Sequence, residues 1–166
     1  MDEQAKKTAL RMIPYGLFVL TARDSRDQFA AASMNWVTQA SFNPPQVVVC
    51  IKKDSTTFQV VDSAGKFALN VLGKPDADLA FTFFKHVEEQ EGTLGGVPYH
   101  MLGDVPVLSS VPAFLICEVT AAVGEGDHRV LLCTVIEAGL QSSIEGRPDD
   151  ATLWLRDLEG SIFYGG

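Results

Sequence analysis

Two long runs of β-forming residues, Ala113–Val123 and His128–Ala138, stand four residues apart, and the four are Gly124-Glu125-Gly126-Asp127. Glycines in so short a connection predict an antiparallel hairpin, and one of this length needs further strands to cover it. The rest of the chain supplies candidates. Tyr15–Ala22 and Gln28–Met34 flank the polar turn Arg23–Asp27, Phe67–Leu72 is another apolar run, and Thr152–Arg156 and Ser161–Tyr164 predict short closing strands. Gln46–Ile51 is a continuous Val-rich run, the pattern of a strand buried on both faces.

Helices are fewer. Ala5, Ala9, Leu10 and Met12 among charges predict a short amphipathic helix over 3–12 that ends before Pro14. Asp54 and Ser55 offer N-caps for a helix over 56–63, with Gly65 just beyond its end. Asp76–Lys85 places Leu79, Ala80, Phe83 and Phe84 on one helical face. From His86 to Pro112, glycine and proline break the pattern into loop with short strands at best. Strands joined by turns outnumber helices, which predicts an antiparallel β-barrel with a few decorating helices.

The 166 residues fit a single domain over 1–166, with 46% hydrophobic and 20% charged residues. A formal charge of −8 excludes the basic footprint of a nucleic-acid surface. No apolar run reaches the ~20 residues of a membrane span, and the N-terminal stretch lacks a signal-peptide core. Cys50, Cys117 and Cys133 are odd in number, far apart and set in apolar runs, as reduced thiols of a cytoplasmic protein would be. His86, Glu88, Glu89 and Glu91 lack a spacing that closes a metal site, so no metal is predicted. No G-x-S-x-G elbow, P-loop or G-x-G-x-x-G fingerprint is present.

Ala30–Pro45, reading AAASMNWVTQASFNPP, is the stretch that points to a ligand. It turns from apolar to polar and aromatic within a few residues, with Asn35, Thr38, Gln39 and Ser41 crowded around Trp36. A loop wrapping a flat, polar-edged molecule has that composition. After it, Lys52-Lys53-Asp54-Ser55-Thr56-Thr57 places cations, hydroxyls and free helix-start N–H groups where an anion such as a phosphate could dock. From these residues alone a plain capped helix with solvated lysines is the favoured reading.

These stretches, together with IPYGLFVLTA, QVVVCIKKDSTT, KFALNVL and GDHRVLLCTV, resemble the flavin reductase-like, FMN-binding split-barrel family over about residues 8–165. The nearest branches are the flavin reductase domains of flavodiiron proteins and flavoredoxin. The resemblance implies a six-stranded antiparallel Greek-key split β-barrel with a few flanking helices, paired as a homodimer. It implies FMN as cofactor, with FAD as the alternative, and NAD(P)H as the substrate whose hydride passes to flavin. A flavoredoxin-like electron carrier serving a redox protein partner, or a non-catalytic split-barrel binding module, are the other functions it allows.

Residue by residue, the resemblance puts the flavin ring against Ser33, Met34, Asn35, Trp36, Val37, Cys50 and Ile51. It puts the phosphate at Lys52, Ser55, Thr56 and Thr57, with Ser41 able to add a hydroxyl. His128 would lie beside the nicotinamide as the substrate-positioning residue; from sequence it also reads as a hairpin-end histidine bonded to Asp127. Two places depart from the family pattern: Cys133 stands where a small residue is usual, and His86–Met101 follows no family pattern.

Overall fold

The structure, a computed structural model, describes residues 1–160 and 162–165. The main sheet is built from β1 (Phe18–Arg23), β2 (Phe29–Met34), β3 (Val37–Phe42), β4 (Pro45–Lys52), β5 (Lys66–Val71), and the long pair β10 (Ala113–Val123) and β11 (His128–Leu140). Between β5 and β10 the chain adds a small meander, β6 (Glu89–Gln90), β7 (Thr93–Leu94), β8 (Val97–Leu102) and β9 (Val105–Leu108). Helices α1 (Glu3–Arg11), α2 (Thr56–Ala64), α3 (Ala77–Thr82) and α4 (Pro148–Ala151) complete it. None is long and apolar enough to cross a membrane.

The seven main strands run β2-β1-β5-β10-β11-β4-β3, every neighbour antiparallel. The fold is mainly β, as the sequence predicts, but the sheet has seven strands rather than six and its ladder does not close. The additional strand is β3, which lies inside the stretch read as a ligand loop. Its residues Thr38, Gln39 and Ala40 are exposed. A sheet-edge strand with open sides needs no apolar alternation, so its composition reads as loop. β3 returns into β4 through the cis peptide Asn43–Pro44.

β2 and β3 sit on opposite edges of the sheet, yet only Asn35 and Trp36 separate them in sequence. Three Cα–Cα steps span at most ~11 Å. The sheet is therefore rolled until its two edges approach each other at this corner, with no ladder between them.

The inner faces of the roll make the principal core. Leu20 and Ala22 of β1, Val47, Val49 and Ile51 of β4, Phe67 and Leu69 of β5, and Leu131 and Cys133 of β11 pack there with Val60 and Val61 of α2. β4 alternates, contrary to the two-sided burial its Val run predicts: Val47, Val49 and Ile51 are buried while Gln46, Val48 and Cys50 are only half-buried. α2 is capped by Ser55 and ends on Gly65 at φ 69°, a left-handed turn that a glycine takes without strain. A second core, with Leu17, Val19, Leu72, Ala80, Phe83, Leu94 and Leu108, lies outside β1 and is covered by α3 and the meander.

The closing segments differ from expectation. Residues 152–156 do not pair as a strand; they give isolated bridges, Gly73 with Thr152 and Gly16 with Trp154, followed by a 3₁₀ turn at Leu155–Asp157. Ser161 lies outside the described residues, and Ile162–Tyr164 form no strand. Helix α3 is shorter than 76–85; Ala80 and Phe83 are buried, while Phe84 turns outward onto Phe81.

One buried polar node fastens the meander to the main sheet. The Asn70 side-chain amide donates to Val19 O and Thr21 Oγ1, and its oxygen accepts from Leu108 N at 2.9 Å. Thr21 Oγ1 in turn donates to Pro106 O. Asn70→Ala strands several of these groups without partners, and a loss of roughly 2–4 kcal/mol in chemical denaturation is the expected outcome. Burial pushes the Cys117 thiol up to about 12, with the neighbouring Cys133 adding to the shift, and burial alone puts Cys133 at about 12. Above the ordinary thiol value of 9.0, the unfolded chain loses these protons while the folded one keeps them. Stability therefore falls between pH 9 and about 12, and in pH-dependent unfolding the C117A/C133A variant should lose part of that slope.

Candidate functional site

The corner where the rolled edges meet forms one wall of a cavity of about 430 Å³. Ala32, Ser33, Met34 and Asn35 line it from the end of β2, and Cys50, Ile51 and Lys52 from the end of β4, with Ser55 and Thr57 at the start of α2. Two contacts set this geometry. Cys50 N donates to Trp36 O at 3.0 Å, tying the crossover to β4, and Ser33 N donates to Phe83 O at 3.0 Å, closing the free edge of β2 with the end of α3.

Most of the residues named from sequence as ring or phosphate contacts meet around this one cavity; four do not line it. Val37 packs against the principal core. Ser41 pairs with Gln46 at the far end of β3, ~13 Å along the strand from Val37. Thr56 faces a separate cleft with Phe29, Val60 and His86. Trp36 packs on His128, ring centroids 4.6 Å apart and planes tilted by 43°.

The hydroxyls are less available than their composition suggests. Ser33 Oγ donates to Ala80 O, so it holds α3. Ser55 Oγ accepts from Phe58 N at 3.1 Å and donates to Lys52 O at 2.7 Å, so its proton is committed to the helix cap. What the start of α2 offers the cavity is backbone: the N–H of Thr57, in its first turn, has no intrahelical acceptor. Lys52 adds a cation; its ion pair with Asp54 at 3.2 Å joins two side chains that are more than half exposed and constrains it little.

Two buried donors have no hydrogen-bond partner among the described residues: Asn35 Nδ2, in the cavity wall, and Trp36 Nε1. A buried unpaired N–H is costly, so Asn35 marks where an acceptor belongs. Cys50 contributes no thiolate; burial raises its pKa.

β11 starts at His128, directly across from Lys52 of β4. The imidazole is held at both nitrogens, Nδ1 at 2.9 Å from Asp127 Oδ1 and Nε2 at 2.8 Å from the Tyr164 hydroxyl. The bond from His128, with the Lys52 cation assisting, holds the Asp127 carboxyl below its ordinary value; an ionised carboxylate only accepts, so Nδ1 is the donor in this bond. Burial, aided by Asp127 and Asp54, raises the Tyr164 phenol and keeps its proton available to Nε2.

Sequence reasoning missed the other side of the cavity: Leu17, Phe83, Phe84, Leu155 and the segment Ile162–Tyr164. Phe83 and Leu155 read as ordinary core residues. The aromatic pair Phe163-Tyr164 carries no local pattern that signals a ligand. Ser55→Ala is expected to cost about 1 kcal/mol of stability through the lost cap, measured by chemical denaturation. Thr56→Ala, outside the cavity, should leave ligand affinity within about twofold in a binding titration.

Residues 10–158 match the model of the flavin reductase like domain. A Rhizobium meliloti protein named "Probable flavin reductase" is 30% identical over 79% of this chain, which spans 42% of that relative's length. A Pseudomonas putida flavin reductase is 26% identical, with 98% of this chain and 91% of the relative aligned. Among solved structures, the NADH:FAD oxidoreductase SgcE6 of Streptomyces globisporus C-1027, in complex with NAD and FAD fragments, superposes with a TM-score of 0.70. It is 28% identical, covering 82% of this chain and 81% of that one.

Proposed function

The chain belongs to the flavin reductase-like family, and on that premise we propose that it is an FMN-binding NAD(P)H:flavin oxidoreductase. The observation that carries this reading is the unpartnered amide of Asn35 in the wall of a cavity sized for one flat ligand. A flavin ring has carbonyl and nitrogen acceptors along one edge, which is what that donor lacks. The mostly apolar lining suits the ring's faces. Lys52 and the Thr57 amide suit a phosphate, so the residues fit the cofactor.

Bound flavin would supply a two-electron acceptor for the hydride that leaves reduced nicotinamide, which departs oxidised. The chain's own work is placement. Met34 and Ile51 bound the ring slot, Asn35 fixes its polar edge, and α2 with Lys52 anchors the phosphate. His128, held by Asp127, is the residue that positions the nicotinamide. With both rings bound, hydride would pass directly between them, so the protein's contribution is orientation rather than a proton relay.

Pairing as a homodimer has support in the apolar surface left on the β3–β4 and β11 side. Phe42 is 90% exposed and Leu140 71%, and Val48 is only half-buried. A flavoredoxin-like carrier that trades electrons with a redox protein partner is the second reading. It is favoured by Tyr164, which takes the nitrogen of His128 that a reductant would approach.

Three outcomes check the reductase reading. Mixing the FMN-loaded protein anaerobically with NADH or NADPH should bleach the visible flavin absorption rapidly; protein that binds no FMN and oxidises neither dinucleotide would sink the proposal. His128→Ala should keep flavin affinity and slow reduction by about 10- to 100-fold in stopped flow. Asn35→Ala should weaken flavin binding about tenfold in a fluorescence titration while leaving the stability of the ligand-free protein equal or higher, because it removes a donor that has no partner there.

A further inference from the structure

Three aromatic rings meet beside the cavity, and the chemistry proposed for the site uses only one of them, His128. Trp36 and His128 pack with their planes tilted by 43°; the Tyr164 ring lies 5.5 Å from Trp36 and 5.9 Å from His128, edge-on to both. Its hydroxyl sits 2.8 Å from His128 Nε2. Tyr164 arrives on a short strap, Ile162–Gly165, which lies beyond the residues that the family model matches.

The strap is a thin partition. Ile162, Phe163 and Tyr164 line the main cavity on one side and, on the other, a cleft of about 160 Å³ between the end of α1 and Trp154–Arg156. The Arg11 guanidinium holds Phe163 from the cleft side, 4.3 Å from the ring centroid. Gly165 lies against the indole so closely that a Cβ there would come within 3.2 Å of Trp36.

We propose that Tyr164 is the gate of the reductant subsite: it occupies the place beside Trp36 and His128 that the nicotinamide ring needs, and it leaves with the strap when that ring binds. This rests on the reductase reading above. A cavity of about 430 Å³ is near the lower end of the range for ligand pockets and holds one flat ring system, not two. The second ring must enter at the His128 side, and that side belongs to Tyr164.

Displacement is cheap because Phe163 and Tyr164 are already 53% and 48% exposed. Little buried apolar area is lost from these two rings while Ile162 stays packed on the second core, and water replaces the single hydrogen bond to Nε2. The neighbouring cleft offers the ring a place to move to. The closed gate lowers apparent nicotinamide affinity by the fraction of molecules in which it is open.

Tyr164→Phe keeps the ring and removes the latch. Two readouts test it: the Kd of oxidised nicotinamide dinucleotide by calorimetry on FMN-loaded protein, which needs no turnover, and KM against kcat for NADH oxidation. Both Kd and KM should fall by about fivefold, the factor set by one neutral hydrogen bond, and further in Tyr164→Ala, with the change on KM rather than kcat. Wild-type turnover with Kd and KM unchanged or raised in Tyr164→Phe would overturn the gate alone. Protein that binds FMN but is never reduced, and whose dinucleotide affinity Tyr164→Phe does not alter, would overturn both the gate and the reductase reading.

Discussion

Two residues, Asn35 and Trp36, join the opposite edges of a seven-stranded sheet. That short connection forces the sheet to roll, because edges more than ~11 Å apart at this corner could not be bridged. The roll creates the interior that Val60 and Val61 of α2 plug. It also brings the end of β2 to face the end of β4, and the cavity is the gap left between them. The same two residues carry the buried donors that lack partners, so the constraint that shapes the fold also leaves polar groups awaiting a ligand.

The site divides its polar groups between structure and binding. Ser33 holds α3, Ser55 caps α2, and Asp127 fixes the imidazole of His128. Each satisfies a local backbone or ring demand and keeps its neighbours rigid. The groups left for a ligand are the Asn35 amide, the Thr57 N–H of α2 and the Lys52 ammonium. Rigid surroundings with a few free donors are what preorganised binding requires, since little ordering remains to oppose association.

Much of this was legible in the sequence wherever a local rule governs. The Gly124–Asp127 connection announced the β10–β11 hairpin, and Ser55 with Gly65 marked the ends of α2. The cavity residues from Ser33 to Asn35 and from Cys50 to Lys52 came from the family resemblance, and the register of β4 with β11 adds His128 opposite Lys52. What stayed hidden depends on tertiary context. β3 looked like loop because an edge strand tolerates polar residues on its open sides. Val48 and Cys50 looked buried because a Val run cannot say which face the sheet leaves uncovered. Tyr164 gave no signal, since its meaning lies in meeting a histidine 36 residues away.

The central claim is that one cavity, between the Asn35 crossover and the start of α2, holds FMN. Titrating ¹⁵N-labelled protein with FMN and following its amide resonances tests this most directly. The account predicts that the Asn35 side-chain amide and the backbone amide of Thr57 shift together and saturate at one equivalent of FMN per chain. Saturable shifts confined to the β6–β9 meander, or none at all, would contradict it.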